Sequence, residues 1–279
     1  MAKSVLGQYI IIFREAFEAA LITAIIFSYL GRIGMRNLSR YIWYGVYLSV
    51  AASLGLGSSI WLTYGVLPKT LQLLFEALAA FMAVIVLSYV VYWMASKGKY
   101  IRREMERRVE VAAWRGSIIG LILLSFIVVF REGFETVLFL TPFFLTETIT
   151  TIVGALAGMI TALILSLGIY VFGMKINIRR FFYFTSILLV LIAGGLAGYG
   201  VHELAEYYKE VGVDLGWLFE KAYVLNISAD NPLHHRNLIG SILAVMFGYT
   251  VSAEWIRVIV HISYLTATIP ALILAYERS

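Results

Sequence analysis

Two short stretches carry the residues that could do chemistry. They read Phe13-Arg14-Glu15-Ala16-Phe17-Glu18 and Phe130-Arg131-Glu132-Gly133-Phe134-Glu135, and each interrupts a long apolar run. At about 100° per residue, the arginine and its two glutamates fall at roughly 0°, 100° and 40° on a helical wheel, so all three share one arc. Arginine and second glutamate are an i,i+4 pair, and the two glutamates an i,i+3 pair. Each helix thus offers two carboxylates beside one guanidinium. With no cysteine in the chain, thiolate metal sites, disulfides and a Cys nucleophile are excluded. A carboxylate cage without thiolate or paired His suits a hard cation.

The elements that position these groups follow from composition. Of 279 residues, 61% are hydrophobic and 14% charged, and the mean hydropathy is +0.86. A soluble domain is about half apolar and about a quarter charged, so this chain takes lipid as its solvent. A span needs roughly 20 mostly apolar residues. Seven stretches qualify, at 5–30, 42–66, 71–95, 117–141, 151–173, 183–203 and 255–276. Arg14 and Glu15 break the first run too early for a signal peptide, so it reads as a retained helix. Residues 238–249 are apolar but too short to cross, and are expected to lie at the interface or re-enter, with an eighth crossing as the alternative.

The formal charge of +5 is a topology signal rather than a nucleic-acid footprint. One set of connections holds fourteen basic residues: Arg32, Arg36, Arg40, Lys97, Lys99, Arg102, Arg103, Arg107, Arg108, Arg115, Lys175, Arg179, Arg180 and Arg278. The other set holds five: Lys3, Lys69, Lys209, Lys221 and Arg236. The rule that positive loops stay inside puts the N-terminus outside and the C-terminus in the cytoplasm. The basic inner stretch 97–116 is expected to be a solvated helical extension touching anionic headgroups.

Six ionisable side chains near mid-bilayer, left unpaired, would cost roughly 15–20 kcal/mol. They are therefore paired, hydrated, or holding something. A single motif could be a packing clamp; two copies, each with a carboxylate to spare, argue for a site. The copies lie 117 residues apart and each opens a group of three spans. Because three is odd, the second group is inverted, the arrangement of transporters whose site lies at a repeat interface. The expected architecture is all-α: a single domain, 1–279, built as a 3+3 inverted repeat (about 5–95 and 117–203), an outer connection (about 204–254) and a seventh helix (about 255–276).

Counting inward at 1.5 Å per residue, Glu15 and Glu18 lie about ten and thirteen residues from the outer end, and Glu132 and Glu135 about nine and six. Glu76 in span three and His261 in span seven, about five and six residues in, share that layer. The two motifs are net −2 when ionised, and Glu76 makes −3, apt for a trivalent ion without excluding Mn²⁺, Ca²⁺ or Mg²⁺. His261 is also readable as a satisfied core histidine. The outer connection carries Glu206, Glu210, Asp214, Glu220, Asp230, His234 and His235, with His202 and Glu203 at its start. It reads as an ordinary solvated loop or as a cation-gathering vestibule. Gly154 and Gly158 form a GxxxG pair for close helix approach. Pro68, Pro142 and Pro232 are placed in outer connections or at a helix exit, and Pro270 inside a span.

Two Arg-Glu-x-x-Glu motifs in the first and fourth of seven spans resemble the oxidase-dependent iron permease family, as do Tyr92-Trp93-Met94 and His202-Glu203-Leu204. The resemblance runs along nearly the whole chain. It implies a permease in the cell membrane, not an enzyme, that takes up iron, usually delivered as Fe³⁺. It makes Glu15, Glu18, Glu132 and Glu135 the iron-handling carboxylates, with Arg14 and Arg131 supporting them. Iron is then the substrate and no cofactor is permanently bound. The implied partners are the lipid bilayer and an extracytoplasmic ferroxidase or iron-binding protein, with self-association left open. The Asp-Ala-Ser-Glu outer-loop motif of the family's fungal members is absent, and Ser252-Ala253-Glu254 does not stand in for it. The rival readings are a transporter of a divalent cation such as Mn²⁺ or Ca²⁺, and a metal-binding membrane sensor. A haem-bearing oxidoreductase subunit is disfavoured because only His261 lies well inside a span.

Overall fold

The computed structural model describes residues 5–97, 101–114, 117–172, 177–213, 215–228, 230–234 and 237–278. Lys3, Lys99, Arg115, Lys175, Asp214, His235 and Arg236, singled out in the sequence, lie outside the described residues.

Among the described residues, seven long helices form where the apolar runs predict them: α1 (Val5–Arg32), α2 (Ser39–Gly65), α3 (Lys69–Lys97), α5 (Ile118–Thr146), α6 (Thr148–Phe172), α7 (Ile178–Glu210) and α9 (Trp255–Glu277). The shortest has 23 residues, about 35 Å at 1.5 Å per residue, enough to cross hydrocarbon. By length and composition, five segments qualify as membrane spans: Arg36–Gly65, Lys69–Ser96, Thr148–Ile169, Arg179–Glu210 and Trp255–Glu277. The two long helices not among them, α1 and α5, are those that carry the charged motifs. Helix starts are locally specified: the Ser117 hydroxyl accepts from the Gly120 amide at 3.0 Å, and the Asn177 side chain from the Arg180 amide at 3.1 Å.

Hydroxyls within the spans bond back to carbonyls one turn earlier, as Thr23 does to Ala19 and Ser166 to Ala162, both at 2.7 Å. In hydrocarbon this is how a polar side chain is satisfied without water. Large apolar residues such as Leu54, Ile149 and Ile164 face outward, which lipid tolerates and water does not.

Contacts are most extensive in three helix pairs, α1 with α6, α2 with α5, and α3 with α7. The main core is built by α3 and α7 (Leu87, Val90, Leu189, Leu196), and α1, α5 and α9 add Ile11, Phe139 and Leu272. Gly158 makes the first pair possible: a Cβ there would stand 2.6 Å from the Tyr9 carbonyl oxygen. In the second pair a Cβ on Gly133 would stand 2.1 Å from Ser53 Oγ.

The basic inner stretch does form a helix, α4 (Ile101–Trp114), but it is more than a solvated extension. Its Met105, Val109 and Ala113 are buried with Ile26, Leu30, Ile42 and Leu121 at the ends of α1, α2 and α5. The apolar residues recur every four positions, so one stripe docks while Arg103, Arg107 and Arg108 stay exposed.

The connection between α7 and α9 is structured. It contains a two-stranded antiparallel hairpin, β1 (Lys221–Val224) with β2 (Ser252–Glu254), an addition to the expected all-α fold. Between the strands lies α8 (Leu238–Phe247), ten residues long, about 15 Å and too short to cross. Gly248, left-handed at φ 62°, ends α8 so close to α9 that a Cβ would stand 2.7 Å from His261 Nδ1. Pro142 departs from its expected place: α5 continues past it to Thr146, whose hydroxyl donates back to the Pro142 carbonyl at 3.1 Å.

Candidate metal centre

α1 runs toward the α4 end of the bundle and α5 runs away from it. The two motifs therefore meet head to tail. Each arginine precedes its glutamates in sequence, so Arg14 approaches the carboxylates from the hairpin side and Arg131 from the α4 side.

Between them Glu15, Glu132 and Glu135 converge. One oxygen from each lies within 4.8 Å of the others, and all three side chains are buried. Oxygens that share one ion at about 2.0–2.6 Å lie roughly 3–5 Å apart, so the trio has the spacing a hard cation needs. Glu15 Oε2 and Glu135 Oε2 are buried with no hydrogen-bond partner, as is Glu18 Oε2 beside them, so the layer has acceptor capacity to spare.

The arginines complete the layer unequally. Arg14 is fully buried and meets Glu15 Oε1 at 2.6 Å and Glu18 Oε2 at 3.5 Å. Arg131 keeps 39% of its side chain exposed; its Nε donates to Glu135 Oε1 at 2.8 Å and stays 4.0 Å from Glu132 Oε1. The Arg131 guanidinium lies over the Trp93 ring, 4.5 Å from its centroid. Glu18 is buried and tied to Arg14, outside the trio.

The other candidates stand apart. Glu76 on α3 is buried and accepts from the Tyr64 hydroxyl of α2 at 2.5 Å and from the Tyr199 hydroxyl of α7. It clamps three helices at the hairpin end. Glu203, one turn beyond Tyr199, faces the same group. His202 Nδ1 meets Glu254 Oε1 at 3.0 Å and ties α7 to the hairpin. The deep burial of Glu254 would raise its carboxyl, but the His202 hydrogen bond and charge outweigh burial and hold it at about 2. His261 packs between Gly194 and Gly248, away from the trio. In the outer connection Glu206 pairs with Lys209 at 2.8 Å.

Sequence reasoning missed the tyrosines that hold Glu76 and the ring under Arg131. Tyr64 had a signal, since it faces Glu76 across the short turn at Pro68. Tyr199 had none, and Trp93 stood out only within the Tyr92-Trp93-Met94 resemblance, without a role, because only the packing of α7 and α3 brings the two rings in.

A cavity of about 490 Å³ opens between α1, α2, α5 and α6. Glu15 and Glu132 line it at mid-helix, and Phe27, Trp43 and Leu167 line it toward the α4 end.

Residues 5–275 match the iron permease FTR1 family. The chain is 46% identical over 274 residues to an uncharacterized protein of Archaeoglobus fulgidus, covering 98% of this chain and 96% of that one. It is 34% identical over 268 residues to the ferrous iron permease EfeU of Escherichia coli O6:H1, covering 95% and 93%. It is 33% identical over 276 residues to the ferrous iron permease EfeU of Yersinia pestis, covering 96% and 92%. No solved structure matches. A buried carboxylate trio between two arginines, on helices built for lipid, agrees with that likeness: the chain belongs to the iron permease FTR1 family and is a multi-pass membrane protein, a transporter and not an enzyme.

Proposed function

We propose that this chain carries iron across the cell membrane into the cytoplasm, through the layer formed by Glu15, Glu18, Glu132 and Glu135 with Arg14 and Arg131. The observation that carries this reading is the trio of oxygens from Glu15, Glu132 and Glu135, contributed by two antiparallel helices at mid-span. Four carboxylates and two guanidiniums sum to −2 when ionised. With Glu76 engaged by two tyrosines, that charge favours a divalent ion, and the Escherichia coli and Yersinia relatives are named ferrous iron permeases. We therefore take Fe²⁺ as the transported species.

The 3+3 inverted repeat is part of this proposal. Exchanging α1, α2 and α3 for α5, α6 and α7 turns the α1–α6 pair into α5–α2 and maps α3–α7 onto itself, and these are the three most extensive pairs. The basic residues at the α4 end support a cytoplasmic assignment for it, with the hairpin face outside, where an iron-delivering partner would dock. Iron reaches the layer from the hairpin side, exchanges water for carboxylate oxygens, and leaves along the cavity toward the α4 end as one repeat moves against the other. Protonation of a glutamate assists release, so uptake depends on pH or membrane potential.

Labelled-iron uptake into proteoliposomes tests this, with Fe²⁺ held by ascorbate and Fe³⁺ supplied as citrate in separate runs. Wild type should accumulate Fe²⁺; Glu15→Ala and Glu132→Ala should each abolish uptake. Binding without uptake in the wild type would overturn transport and leave a metal-binding sensor.

A further inference from the structure

Arg14 and Arg131 occupy matching places in the two motifs, yet Arg131 alone lies on an aromatic face. Trp93 stands near the α4 end of α3, and the Arg131 guanidinium carbon is 4.5 Å from its ring centroid. The Nε of Arg131 has one hydrogen. It goes to Glu135 at 2.8 Å, leaving Glu132 at 4.0 Å, beyond hydrogen-bond reach. Glu132 is buried and belongs to the trio. Were Arg131 free to turn, its fork would fit Glu132 bidentately, since guanidinium and carboxylate match in shape and charge. That contact would occupy the oxygens an incoming cation needs. Arg14, which has no such ring contact, bonds Glu15 at 2.6 Å and comes to 3.5 Å from its second glutamate, closer than the 4.0 Å that Arg131 keeps from Glu132.

We propose that Trp93 is a positioning residue for the ion site: its ring holds the Arg131 guanidinium off Glu132 and so keeps that carboxylate open to the cation. This rests on the permease reading above and names the device that sets the site's affinity. Even at a partly exposed site such as this one, with 39% of the Arg131 side chain open, a cation over an indole face is held strongly enough to bias the balance between two such arrangements by a few-fold. The held arginine still neutralises Glu135, so the empty site is not left with three uncompensated charges.

The test compares Trp93→Phe, which keeps an aromatic face, with Trp93→Met, similar in length but without one. Both are reconstituted beside wild type, and Fe²⁺ uptake is measured against concentration with thermal midpoints of the same samples. Trp93→Met should raise KM by roughly three- to tenfold with Vmax within about twofold, while Trp93→Phe stays within about twofold of wild type. Equilibrium binding of labelled Fe²⁺ in detergent should show the same order. The inference is overturned if both variants raise KM equally, if KM follows the loss of thermal midpoint, or if Trp93→Met binds like wild type. Absence of uptake by wild type would strike the permease reading alone, because the binding isotherms still read the effect of Trp93.

Discussion

The same pattern of arginine and two glutamates is folded twice in this molecule, and the two copies are not alike. On α1 the arginine is sealed at 0% exposure and bonded within its own motif. On α5 it is 39% exposed, bonds Glu135 at 2.8 Å, stands 4.0 Å from Glu132 and rests on Trp93. Identical residues at identical spacing thus become a closed ion-pair cluster in one place and an open, adjustable one in the other. What differs is the neighbouring helix that each arginine meets. A motif specifies chemistry; the surroundings decide which carboxylates are spent on internal pairing and which remain for a ligand.

The largest expected difference comes from removing each arginine. Arg14→Gln leaves Glu15 and Glu18 buried without a cation, which costs about 3–5 kcal/mol. It should depress the thermal midpoint in detergent and the yield of folded protein. Arg131→Gln strands buried Glu135 but removes a partly exposed guanidinium, so it should cost less, about 1–3 kcal/mol, and give folded protein with impaired uptake. Equal losses in the two variants would dissolve the distinction between the copies.

The helix contacts beside the motifs offer a second comparison. A Cβ on Gly158 would meet the Tyr9 carbonyl oxygen and Phe13 amide of α1, backbone that cannot step aside. Gly158→Ala should therefore cost about 1–3 kcal/mol. A Cβ on Gly133 meets the Ser53 side chain, whose hydroxyl can rotate, so Gly133→Ala should cost less. Thermal unfolding of the two variants in one detergent orders them directly.

Glu76 sharpens the boundary of the site. Glu76→Gln gives up a charge-assisted bond from a tyrosine, so it should cost about 1–2 kcal/mol while leaving Fe²⁺ binding at the layer nearly intact. A binding isotherm that collapsed in this variant would return Glu76 to the ion's coordination shell.

The smallest effect concerns the hairpin. Glu254 is held at about 2 instead of its ordinary 4.5. The stability this contributes is fully present above about 4.5 and is lost as pH falls toward 2. His202→Ala removes the restraining hydrogen bond and should move that loss to higher pH. Hydrogen exchange at the β1 and β2 amides, followed from pH 6 downward, reads the shift.

Seven long helices, their approximate ends and the six charged residues between them were legible in the sequence. Each is a local property: twenty apolar residues can only span, and a helix has a fixed angle per residue, so Glu15 and Glu18 must share a face. The short length of 238–249 likewise argued against a crossing, in keeping with the ten residues of α8. The docking of α4 was half legible, since its apolar stripe is periodic, but nothing in the stripe says which helices it covers. The hairpin was not, because strands of four and three residues carry too little pattern to stand out from a loop.

Which glutamates would meet was decided by tertiary structure alone. Glu18 and Glu135 hold the same place in their motifs, yet Glu135 joins the trio and Glu18 stays with Arg14. Glu76 shares a depth with the motifs by residue count, yet Tyr64 and Tyr199 engage it elsewhere. Depth along a helix follows from counting, because the rise per residue is constant. Azimuth between helices does not, because it depends on how side chains pack across an interface, and a metal site needs both.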